Sequence, residues 1–198
     1  MAQKEVLDEK KKAINDLATI LSKIIADYEE LYKQHLDANY PLKKPRYEYR
    51  ELTDEILEET RKLLSDTSDF LKYPDAYNRL LILCFSFNTE IIKAVSGREF
   101  SIKPIAGEFL TKISRENPRL ETGTILYITL NGSYIGNTTL KFLDDCADLI
   151  KEQRINNLIC PRLKEFLTEG GITPPGEGFT PFRDDKKAYI ESIIKKLE

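Results

Sequence analysis

Between residues 43 and 50 the chain reads Lys43-Lys44-Pro45-Arg46-Tyr47-Glu48-Tyr49-Arg50, four cations interleaved with two phenol rings. Guanidinium and ammonium groups neutralise phosphate, and tyrosine rings offer faces on which a base can stack. Lys43, Lys44, Arg46, Tyr47, Tyr49 and Arg50 are therefore the candidate partner- or phosphate-binding residues. The competing reading is a connector whose tyrosines lie on the body while its charges stay in water. A formal net charge of −3, from 30 basic and 33 acidic residues, supplies no global field toward nucleic acid and favours that competing reading.

His35 is the one side chain whose unperturbed pKa lies near neutrality. No serine or cysteine can be placed beside it from the sequence, so it reads as a partly buried histidine at a helix end. Asp144, Asp145 and Asp148, like Asp184 and Asp185, fall where helices are expected to begin. Carboxylates there complement the helix dipole, and neither cluster is read as a metal site. Gly132 and Gly136 do not have phosphate-loop spacing, and GEGF near Gly176 is too short to count. GxSxG, HExxH and EF-hand patterns are absent from the sequence. No catalytic residue, metal or cofactor is expected.

Cys84, Cys146 and Cys160 are an odd number at wide intervals, which suits free thiols in a reducing compartment. The start MAQKEVLDEKKK is charged rather than apolar, and no stretch approaches the ~18 apolar residues of a membrane span. The expected location is the cytoplasm. A hydrophobic share of 41% with 32% charged residues suits a helix-rich domain with well-solvated faces.

The elements that must position these groups begin with a seven-residue repeat. Leu7, Ile14, Leu21 and Tyr28 recur every seventh position, with Leu17, Ile24 and Leu31 between them. Such spacing makes one stripe on a helix over residues 3–35. Ala13, Ala18, Ile20 and Ile25 stand where a two-stranded coiled coil would carry charges, and they widen the stripe. A helix laid among several neighbours fits better than a zipper. Its lysine-rich start, residues 1–12, is the part expected to project.

Residues 38–50 hold two prolines and form a connector. Helices are then expected over 53–72 with Thr53 as N-cap, over 75–96 ending at Gly97, and over 103–115. The run from Thr124 to Leu140 is rich in β-branched and aromatic residues around Asn131-Gly132, the preferred pair for a type I′ turn. It predicts a β-hairpin at 124–139. A helix to Arg154 follows, then a short one with Pro161 in its first turn, ending at Gly170-Gly171. Residues 170–183 read as an irregular but packed loop, and a last helix starts at Asp184 or Asp185.

The sequence thus predicts a single, mainly α domain over 1–198, a multi-helix bundle with one inserted two-stranded hairpin. Its expected function is non-enzymatic: a regulatory or interaction protein that binds a protein partner, or itself, through the long first helix and the basic connector. The alternative is a winged-helix nucleic-acid binder using residues 75–139, with the hairpin as its wing.

Overall fold

The computed structural model describes residues 2–37, 47–98, 100, 102–117, 122–131, 135–172, 179–180 and 182–198. Its helices are α1 (Ala2–Asp37), α2 (Tyr47–Leu63), α3 (Pro74–Ser86), α4 (Thr89–Ser96) and α5 (Ile102–Glu116). They are followed by α6 (Thr122–Leu130), α7 (Asn137–Asp145), α8 (Ala147–Glu152), α9 (Asn156–Glu169) and α10 (Asp184–Leu197). A 3₁₀ turn at Phe70–Lys72 lies between α2 and α3. The fold is all-α, with 84% of the described residues helical.

The expected hairpin at 124–139 does not form. Residues Thr122–Leu130 are α6 and Asn137–Asp145 are α7. β-propensity mostly expresses how a side chain packs on a half-covered sheet, so it yields to the packing available. Here Thr124, Ile125 and Thr129 turn inward together, which is helical rather than alternating spacing. The buried Thr129 hydroxyl donates to the Ile125 carbonyl at 2.7 Å, so the helix itself satisfies it. The winged-helix reading loses its wing by the same finding. Among the described residues, extended pairing is confined to two residues on each side, Gly171 with Thr180 and Ile172 with Phe179.

The chain forms two compact units, residues 1–109 and 110–198. In the first, α1 packs on α3 and α4, and α2 packs on α4 and α1. The expected helix over 53–72 is shorter at its end: α2 stops at Leu63, and the chain re-enters the core at Phe70. The expected helix over 75–96 is two helices. Phe87 between them is extended (φ −62°, ψ 124°), and the Asn88 side chain accepts from the Ile91 N–H at 3.3 Å to start α4.

The centre of this unit is aromatic. Tyr77 stacks on Phe109 with ring centroids 5.3 Å apart, and Phe70 leans on Tyr77 at 5.8 Å and on Phe109 at 6.4 Å. Burial pushes the Tyr77 phenol up to about 12. Its hydroxyl is buried and finds no hydrogen-bond partner among the described residues. A buried unpaired hydroxyl costs about 1–3 kcal/mol. Tyr77→Phe is therefore expected to stabilise the protein by about 1 kcal/mol, read as a higher urea midpoint at unchanged m-value.

In the second unit, α7, α8 and α9 pack on α10, and α6 packs on α9. Arg115 near the end of α5 binds Asp148 at 2.6 Å and the Asp145 carbonyl, holding the α7–α8 break. Lys186 on α10 lies 4.4 Å over the Phe182 ring, whose centroid is 6.2 Å from that of Phe166. Phe182 is thus packed down on the body. Pro161 lies inside α9 rather than in its first turn.

The α8–α9 junction is a Schellman turn. The Arg154 N–H donates to the Lys151 carbonyl at 2.9 Å and the Ile155 N–H to the Ile150 carbonyl at 3.2 Å. Ile150 and Ile155 are both buried, which supplies the usual apolar contact of the motif. The turn places Arg154 at φ 60°, a left-handed position where glycine is normally found. Arg154→Gly is expected to gain about 1 kcal/mol in thermal or urea unfolding, the relieved strain exceeding glycine's entropy cost.

Candidate interaction surface

The 36 residues of α1 carry two unlike faces. Ile14, Leu17, Leu21, Ile24 and Tyr28 are at most 4% exposed, so this part of the seven-residue stripe is spent on the core, while Leu31 is half-buried. The opposite face holds Asp16, Lys23, Asp27 and Glu30, all exposed. Ile20 stands among them at 44% exposure. Of the positions expected to widen the stripe, Ala18 is buried and Ala13 and Ile25 are half-buried, but Ile20 is outward. Its neighbours one turn away, Asp16 and Lys23, are both charged, and that is the sequence signal for its exposure.

The basic and aromatic candidates are not assembled into a site among the described residues. Lys43, Lys44 and Arg46 lie outside those residues. Tyr47 opens α2, but its side chain, like that of His35 on α1, is outside the described set. Tyr49 is structural: its ring meets that of Tyr28 edge-on at 5.2 Å and 77°, and its carbonyl accepts from the Tyr28 hydroxyl at 3.3 Å. Burial, and secondarily Tyr49, raise the Tyr28 phenol far above its ordinary value. Arg50 is exposed on α2, and its carbonyl accepts from the Thr53 hydroxyl at 2.7 Å. Thr53 is thus a buried mid-helix residue and not an N-cap.

Lys10, in the lysine-rich start, pairs with Asp69, which also binds Lys72 at 2.6 Å. Asp69 thereby ties α1 to the 3₁₀ turn. Hydrogen bonds from Lys10 and then Lys72 hold its carboxyl below the usual aspartate value. A carboxyl depressed in the fold stabilises fully above its unfolded pKa of about 4 and loses that contribution as pH falls through the folded value. Asp69→Asn is expected to cost about 1 kcal/mol at pH 7. The difference from wild type shrinks as pH is lowered below about 4, a pattern that urea unfolding across pH will show.

Two other groups bear on chemistry. A cleft lined by Ile25, Tyr28, Glu29, Phe87, Asn88, Ile91 and Ile92 has a volume of ≈ 10 Å³, room for about one water. Asp144 and Asp145 end α7 instead of starting a helix, so they do not complement its dipole. They serve as anchors: Asp144 binds Lys196, and Asp145 binds Lys141 at 2.7 Å. Asp148 does sit in the first turn of α8, and Asp184 and Asp185 in that of α10. No group of three metal-ligating side chains occurs among the described residues.

No family model, curated protein or solved structure matches this chain. Among the described residues, no helix is long and apolar enough to cross a membrane.

Proposed function

We propose that this is a non-enzymatic interaction protein that binds a protein partner through the outer face of α1 and the adjoining connector. The observation that carries this reading is Ile20, a large aliphatic side chain 44% exposed at the middle of a charged helix face. Protein interfaces concentrate their energy in a few apolar anchors ringed by polar groups that exclude water. Asp16, Lys23 and Asp27 form such a rim, with both signs of charge present to set orientation. Lys43, Lys44 and Arg46 follow α1 closely in sequence and would add positive charge to the surface offered to the partner.

The test is a photo-crosslinking residue placed at position 20 in the full chain, expressed in the native host. The same residue at Lys187, half-buried on α10, is the control. One protein should crosslink from position 20 and not from 187, and co-purification of that protein should be lost on Asp16→Lys substitution. Identical crosslinks from both positions, or none from position 20, would remove the proposal.

A further inference from the structure

The left-handed residue at the α8–α9 junction is an arginine. At φ 60° a side chain is strained where glycine is not, so nothing in the backbone calls for Arg154 at that place. Strained residues of this kind gather where a side chain serves a function. Arg154 is exposed, and among the described residues its guanidinium makes no hydrogen bond, ion pair or ring contact. Arg115, Arg162 and Arg183 of the same unit are each paired with a carboxylate. Lys151, whose carbonyl accepts from the Arg154 N–H, is also exposed and makes no ion pair with a described residue. In the first turn of α9, Leu158 is 54% exposed. Four residues of chain reach at most about 14 Å, so the arginine and this leucine lie within the span of one short bound segment.

We infer that this junction docks an acidic segment of a protein partner, with a carboxylate on Arg154 and an adjoining aliphatic or aromatic side chain on Leu158. The planar guanidinium grips a carboxylate through two parallel N–H···O bonds, which a lysine cannot reproduce. Arginine is enriched among the residues that concentrate binding energy at interfaces, and the leucine beside it offers apolar area. Lys151 adds a second cation, which favours an acidic segment over a neutral one. Glu152 before the turn, and Glu165 and Glu169 further along the Leu158 face of α9, are exposed carboxylates. A nucleic-acid backbone needs a row of cations for its successive phosphates, and these groups interrupt one. A short acidic segment needs only one good pair. The two Schellman hydrogen bonds and the buried Ile150 and Ile155 fix the backbone of the turn, so little ordering is lost on binding. This surface is independent of the α1 face.

A phage-displayed library of random peptides, panned on the full chain, tests it. Peptides enriched on the wild type should carry Asp or Glu beside Leu, Ile, Phe or Trp. Synthetic copies should bind about tenfold more weakly, or worse, to Arg154→Gly and to Leu158→Ala. Arg154→Lys should recover only part of the loss. Arg154→Gly should at the same time raise the urea midpoint, which separates lost docking from lost folding. A midpoint that falls together with the binding would make Arg154 structural and overturn the inference. An empty selection, enriched peptides without acidic residues, or peptides indifferent to Arg154→Gly would each do the same. So would an Arg154-dependent complex with single-stranded oligothymidylate tighter than any selected peptide, which would make the surface a nucleic-acid site.

Discussion

Leu21→Ala is expected to lower the unfolding free energy by about 3 kcal/mol, whereas Ile20→Ala beside it should change stability by less than about 0.5 kcal/mol. Leu21 is 0% exposed between Ala18 and Ile24 on the buried face of α1, and Ile20 is 44% exposed on the other. Truncating Leu21 removes apolar contacts and leaves a cavity that α3 and α4 can only partly close. Urea unfolding of the two variants reads the contrast directly. Equal, small effects would make α1 an appendage instead of a member of the bundle. Equal, large effects would mean that the face assigned to a partner is already spent on the fold.

Phe70→Ala is expected to cost about 4 kcal/mol, more than the Leu21 truncation. Its ring is 0% exposed and stands against both Tyr77 and Phe109. The 3₁₀ turn that carries it is three residues long. It has little hydrogen bonding of its own to hold it once the anchor is gone. Leu71 next to it is 58% exposed, so Leu71→Ala serves as the matched control with an effect below about 0.5 kcal/mol. A Phe70→Ala variant as stable as wild type would show that the turn is not packed on the core.

The parts of this fold that could be read from sequence are those with one strong period and clear stops. The stripe from Ile14 to Tyr28 marked α1, and Ile190, Ile193, Ile194 and Leu197 marked α10 in the same way. Gly97 and Gly170 both adopt positive φ at helix ends, which is why they were legible as terminators. The break at Phe87-Asn88 was hidden because the apolar run before it suits one buried helix as well as two. Its only local sign is an asparagine able to cap. At 124–130 nearly every residue is apolar or β-branched, so neither period stands out, and the turn-forming Asn131-Gly132 tipped the reading toward strands. The structure resolves that tie through threonines that satisfy themselves within a helix. The functional candidates divide along the same line. Tyr49 looked like a stacking platform because sequence shows composition but not which ring lies under it. The sequence places Ile20 in the core because an isoleucine beside an apolar stripe is usually buried.

The helical state of residues 122–130 underlies the all-α fold, and backbone NMR reads it without perturbing the protein. Thr122–Leu130 and Asn137–Asp145 should show consecutive downfield ¹³Cα shifts and sequential amide–amide contacts. Upfield ¹³Cα shifts through 124–130 together with cross-strand contacts to 134–139 would restore the hairpin and contradict the account.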